Sequence, residues 1–214
     1  MLEFFRRLLQ ALRPRARVDQ TAPEIAPTGE PAPAAAVEPE VLPIPIAWGA
    51  RLSLAFREAL IAMCLRLAVK PDEMTACIAF ETGLKFSPAV RNAAGSGAVG
   101  LIQFMPSTAV RLGTSVVALA SMTAVEQLHY VELYFMPYAR RLNNLGDVYM
   151  AILWPAAIGK LDDHVLFEDS PTARQRYLQN IGLDANQDRK VTRGEASARV
   201  AALLVEGLKP ENRA

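Results

Sequence analysis

Glu81 is the residue of this chain best suited by type and position to move a proton. It stands in Pro71-Asp-Glu-Met-Thr-Ala-Cys-Ile-Ala-Phe-Glu-Thr-Gly83. Proline and two acids at the front suit a helix N-terminus, where a fixed φ and negative charge are both favoured. Gly83 falls where a left-handed C-cap is expected. The spacing therefore predicts a short helix over 71–83 with Glu81 in its last turn. The unpaired carbonyls there disfavour a carboxylate, and Cys77, Ile78 and Phe80 offer little solvation. Both effects push its pKa upward, as a general acid working near neutral pH requires. The alternative is a solvated glutamate at a helix end.

A second group follows in Gly95-Ser-Gly-Ala-Val-Gly100-Leu-Ile-Gln103-Phe-Met-Pro106-Ser-Thr108-Ala109. Gly95, Gly97 and Gly100 permit close approach to the backbone, so that a sugar ring could lie on the main chain. Gln103 has a planar amide able to pair with an N-acetyl group. Pro106 opens the next helix. The same residues would also serve a tight hairpin before a helix.

Taken together, these two strings resemble the catalytic motif of the SLT family of lytic transglycosylases, lysozyme-like enzymes that cut peptidoglycan. The matching positions are Glu81-Thr82-Gly83, Phe86, Pro88, Gly100-Leu101-Ile102-Gln103, Met105-Pro106 and Thr108-Ala109. Thr82 replaces the family's usual serine, a hydroxyl for a hydroxyl. Asn92 lies near the position of another family serine, and the turn after it is longer here. The resemblance covers roughly residues 55 to 160. It implies that Glu81 is the catalytic acid/base and that Thr82, Gly100, Gln103 and Phe104 face the substrate.

The family's Ala-Ala-Tyr-Asn-Ala-Gly block is matched more loosely, by Met150-Ala-Ile-Leu-Trp154-Pro155-Ala-Ala-Ile-Gly159. Trp154 then takes the tyrosine position. An indole can stack on a sugar or close a cleft, but it has no hydroxyl to offer an acid, and Tyr149 is the nearby substitute. A core tryptophan is the competing reading.

Retaining and inverting glycosidases need a second carboxylate roughly 5 to 9.5 Å from the first. Between Thr82 and Val125 the chain has no Asp or Glu, which favours a reaction run by one carboxyl group. In the family it resembles, the glutamate protonates the leaving oxygen and then deprotonates the C6 hydroxyl of N-acetylmuramic acid, which closes a 1,6-anhydro ring. No cofactor is required. A lysozyme-type muramidase is one alternative. Another is a noncatalytic glycan-binding or structural module of a phage tail or secretion apparatus.

At 214 residues and 51% hydrophobic, the chain can bury one good core. A net charge of +1 gives no reason to expect nucleic acid as a partner. Cys64 and Cys77 read as buried free thiols. His129 and Glu132 are one helical turn apart and could ligate metal, although a packed or surface histidine is the simpler reading. No apolar run is long enough to span a bilayer.

Four segments follow from composition. Residues 1–17 form a basic amphipathic stretch, able to touch a membrane surface or a delivery apparatus, with a frayed end as the alternative. It lacks the features of a cleavable signal peptide. Since peptidoglycan lies in the periplasm or cell wall, delivery by a phage or secretion system is expected. Residues 18–47 are a Pro/Ala-rich linker. Residues 48–168 are the expected catalytic domain, mainly α and lysozyme-like, with at most a small β-hairpin near 93–104. Helices are predicted over about 50–69, 123–143 and 146–154, the second opened by the capping box Thr123-Ala-Val-Glu126.

Residues 169–214 form a helical extension. Within it, residues 184–195 match the twelve-position EF-hand loop. Asp184, Asn186, Asp188, Thr192 and Glu195 would supply side-chain oxygens and Lys190 a carbonyl, which makes a structural Ca²⁺ the candidate ligand. Arg189 stands where that loop needs glycine.

Overall fold

The computed structural model describes residues 44–92 and 95–214. The segment 1–17 and the linker as far as residue 43 lie outside them. The described residues belong to one compact unit.

The fold is mainly α, with one small antiparallel strand pair. Helix α1 (Leu54–Leu67) follows Ser53, whose hydroxyl accepts the Phe56 N–H at 3.2 Å. Its Phe56, Leu60, Met63, Cys64 and Leu67 recur at helical spacing and are all buried. Each contributes on the order of 2 kcal/mol by leaving water. Helix α2 (Pro71–Thr82) is buried from Glu73 through Ala79. A helix enclosed on nearly every side belongs at the centre of a core, and α2 carries Glu81.

Short helices α3 (Pro106–Arg111) and α4 (Val116–Ser121) lead to α5 (Ala124–Phe135). The Thr123–Glu126 capping box forms in both directions. The predicted 123–143 helix ends sooner, at Phe135, and passes into a 3-10 turn, Met136–Tyr138. Pro137 is the cause, since it lacks the N–H that an α-helix would need there. Helix α6 (Leu145–Leu153) is capped by Asn144, whose side chain accepts the Asp147 N–H at 3.0 Å.

The strand pair joins β1 (Val165–Glu168) to β2 (Lys190–Thr192), with Phe167 opposite Val191. It lies far from the hairpin expected near 93–104. Among the described residues of that region only isolated bridges form, Arg91 with Val99 and Val99 with Phe104. Helix α7 (Arg174–Asn180) precedes the loop of residues 184–195, and α8 (Arg193–Gly207) follows β2. Helix α8 packs along α2 and α6. The C-terminal extension is thus part of the core that holds Glu81, and no boundary in packing falls at residue 168.

A buried ion pair fixes α8 in place. Arg193 donates to Asp147 at 3.0 Å and also meets Asp162 and Asn144. Asp147 in turn accepts the Gly159 and Asn143 N–H groups at 2.8 and 3.1 Å. The near end of the expected linker is also structured. Ile46 and Ala47 are buried, and the Ile46 N–H reaches the Ala214 carbonyl at 3.1 Å. Their burial moves the start of the folded unit ahead of residue 48.

Candidate active site

Glu81 is set by the end of α2. Gly83 takes the left-handed conformation at φ 56, and its N–H turns back to the Ala79 and Phe80 carbonyls. The backbone stays left-handed at Leu84 and Phe86. Thr82 holds this turn together. Its hydroxyl donates to the Ile78 carbonyl at 2.6 Å and accepts the Phe86 N–H at 3.1 Å. Thr82 is buried, so it shapes the loop and does not face a ligand, contrary to expectation.

Glu81 is partly exposed and lines a cleft of about 410 Å³ with Phe80, Asn92, Tyr149 and Leu153 on one part of its wall. Gln179, Asn180, Gly182, Leu183 and Arg199 complete the lining. Burial pushes the Glu81 carboxyl up to about 8. Its neighbours are mostly apolar or neutral. Tyr149 is buried and meets Phe80 edge-on at 5.4 Å. Burial, and then the charge of an ionised Glu81, keep the Tyr149 phenol protonated. The buried Cys77 thiol is raised in the same way, first by burial and then by Glu81. Tyr134 donates to the Ala151 carbonyl at 2.7 Å, and its phenol is pushed up to about 12, chiefly by burial. A carboxyl in these surroundings keeps its proton at neutral pH and has a route to solvent. That is the state of a general acid. No second carboxylate lines the cleft among the described residues.

The glycine loop is organised by a residue that local sequence did not single out. Gln127, buried on α5, accepts the Leu101 N–H at 2.7 Å and donates to the Leu119 and Pro88 carbonyls at 2.8 and 3.2 Å. Gly100 (φ 90) is buried beneath it. The missing side chain at residue 100 makes room for this amide, so the expected sugar contact at Gly100 is replaced by an internal one. Gln103 also turns inward. It adopts φ 51, and its Nε2 donates to the Val90 and Gly100 carbonyls at 3.2 and 3.0 Å. Gln103 is not among the residues that line the Glu81 cleft.

Phe104 is a core residue, buried and edge-on to Tyr134 at 6.1 Å, and not the substrate contact expected. Trp154 caps α6 and packs against Phe167 at 5.4 Å, with the Arg176 guanidinium over its ring at 5.7 Å. Its partners are those of a packing residue. Of the aromatic pair weighed in the sequence, Tyr149 is the one that shares the cleft with Glu81.

The loop of residues 184–195 is closed by hydrogen bonds among its own residues. Arg189 adopts φ 69, the left-handed conformation that a glycine would otherwise supply. Its guanidinium binds Asp169 at 2.5 and 3.0 Å. Asp184 Oδ2 accepts from the Tyr177 hydroxyl at 2.8 Å and from the Arg189 N–H at 3.0 Å, while its Oδ1 is buried with no hydrogen-bond partner. Asn186 and Asp188 accept N–H groups of the loop itself. Glu195 caps α8 through Thr192 and accepts from Ala185. Burial acts to raise the Glu195 carboxyl, but these hydrogen bonds outweigh it and hold it below its usual range. Among the described residues, no three His, Cys, Asp or Glu side chains form a ready-made metal site. His129 is exposed, and Glu132 is taken by a bidentate pair with Arg66 at 2.6 and 2.7 Å. Cys64 and Cys77 are buried free thiols.

Comparisons with protein-family profiles, with characterised proteins and with solved structures returned no match for this chain.

Proposed function

We propose that the protein is a peptidoglycan lytic transglycosylase that cleaves the MurNAc–GlcNAc β-1,4 bond with Glu81 as its sole general acid/base. One observation carries this reading: a carboxyl raised by burial to about 8 lines a cleft with no second acid among the described residues. A protonated Glu81 gives its proton to the glycosidic oxygen as the C1–O bond breaks, leaving positive charge on C1 and the ring oxygen. The C6 hydroxyl of the same muramic acid then attacks C1. Its proton passes to the Glu81 carboxylate, which restores the acid. No water enters and no second carboxylate is needed, which fits the lining. Tyr149 lines the same cleft as the acid.

The reading is tested by mass spectrometry of sacculi digested by the native chain and by Glu81→Gln. Anhydro-muropeptides that disappear in the variant support it. Reducing-end products would show a muramidase instead. Binding without released fragments would show a noncatalytic module.

We propose separately that the loop of residues 184–195 takes up Ca²⁺. Asp184, Asn186, Asp188, Thr192 and Glu195 would hold it with the Lys190 carbonyl, and the partnerless buried Asp184 Oδ1 supports this. The ion would brace α8 against α7; it supplies no chemistry to Glu81. The substrate puts the site of action in the periplasm or cell wall, with phage or secretion machinery as the proposed carrier. No helix among the described residues is long and apolar enough to cross a membrane.

A further inference from the structure

One wall of the Glu81 cleft comes from the part of the chain outside the motif. Gln179 and Asn180 end α7, Gly182 and Leu183 lie in the turn after it, and Arg199 projects from α8. Arg199 is exposed and anchored at one end only, through a hydrogen bond from Nη2 to the Gly182 carbonyl. No carboxylate among the described residues pairs with it. Its positive charge is felt at Tyr149, whereas burial is the influence that sets the Glu81 proton. Arg199 and Tyr149 both line the cleft with Glu81. At neutral pH the lining residues then present one positive charge and no negative one.

An unpaired guanidinium with donors to spare, held by a single backbone carbonyl, is suited to a planar anion. The amides of Gln179 and Asn180 beside it can bind the hydroxyl or acetamido groups of a sugar. We propose that Arg199 is the specificity-determining residue of this cleft and binds a carboxylate carried by the glycan strand next to the cleaved bond. This rests on the glycan-cleaving reading above. Muramic acid offers such a carboxylate in two ways. In strands stripped of peptide it is the free lactyl group; in intact strands it belongs to the stem peptide. A plain N-acetylglucosamine polymer has neither.

The test uses the full chain with Glu81→Gln, so that ligands are bound and not consumed. Calorimetry compares a chito-oligosaccharide, an alternating GlcNAc–MurNAc oligosaccharide with free lactyl groups, and the same glycan bearing stem peptides. Arg199→Gln is expected to weaken an acidic glycan about tenfold and to leave the neutral one unchanged, with Arg199→Lys recovering part of the loss. The acidic glycan that responds identifies the source of the carboxylate. With Glu81 intact, the same substitution should raise KM for that glycan and leave kcat within about twofold. Equal weakening of neutral and acidic glycans, or of neither, overturns the role of Arg199. If the unsubstituted chain binds and cuts none of the three, the glycan-cleaving reading itself falls and this inference with it.

Discussion

Gln127 occupies the space that a side chain on residue 100 would need. A Cβ at Gly100 would stand 2.4 Å from Gln127 Oε1 and 2.7 Å from its Nε2. The amide gains from that proximity, since it binds backbone groups of Pro88, Leu101 and Leu119 at once. The glycine loop is thus fastened to α5 through one buried side chain.

Gly100→Ala must both adopt an unfavourable positive φ and displace this amide. Its expected effect is a loss of about 2 to 4 kcal/mol in stability, read from urea midpoints. Gln127→Ala should lose a comparable amount, because it leaves buried backbone groups unpaired. A loss below about 0.5 kcal/mol for either variant would contradict this arrangement.

Glu81 makes both stability and activity depend on pH in a defined direction. Its folded pKa of about 8 lies above the ordinary value of 4.5. Below 4.5 both folded and unfolded chains hold the proton, and the group has no effect on stability. Between these values only the folded state holds it, so stability falls as pH rises, by up to about 1.4 kcal/mol per pH unit from this group. Glu81→Gln should remove that slope and unfold at higher temperature than the native chain at pH 8. Thermal melts from pH 5 to 9 check this.

Activity should follow the protonated acid. kcat/KM is expected to hold at neutral pH and decline as pH passes through about 8. Glu81→Gln should lower the rate by at least about a thousandfold with its circular dichroism unchanged. A descending limb that sets in well below neutrality would mean that another group supplies the proton.

Tyr149 and Trp154 should separate cleanly. Tyr149→Phe keeps the ring against Phe80 and removes only the hydroxyl in the cleft, so kcat should fall about 10- to 100-fold with little loss of stability. Trp154→Ala removes the contacts with Phe167 and Arg176. It should lower stability by about 3 kcal/mol or somewhat less, given its partial exposure, while kcat/KM under folding conditions changes little. The reverse pattern would place Trp154 in the substrate path.

Calcium should raise the unfolding temperature of the native chain, and a chelator should reverse the gain. Asp184→Ala should abolish the response. Arg189→Gly should strengthen it, since glycine adopts the left-handed conformation without strain, even though the ion pair with Asp169 is lost. Calorimetric titration showing no Ca²⁺ uptake by either the native chain or Arg189→Gly would end the proposal.

The sequence by itself determined where the helix that carries Glu81 begins and ends and where α5 starts. Proline and acids at residues 71–73, Gly83 as the left-handed cap, and the Thr123–Glu126 box are local signals, and each formed where its spacing predicted. The rise in the Glu81 pKa was legible because apolar residues surround it within its own helix. Tertiary structure decided which polar groups face the cleft and which face the core. Gly100 and Phe104 face side chains of α5, Gln127 and Tyr134, and Thr82 is held by the Ile78 carbonyl and the Phe86 N–H of its own turn. Gln127, Arg193 and Arg199 carry no local pattern. Their roles depend on helices far apart in sequence being brought into contact, and a side chain's partners are set by that packing and not by its neighbours along the chain.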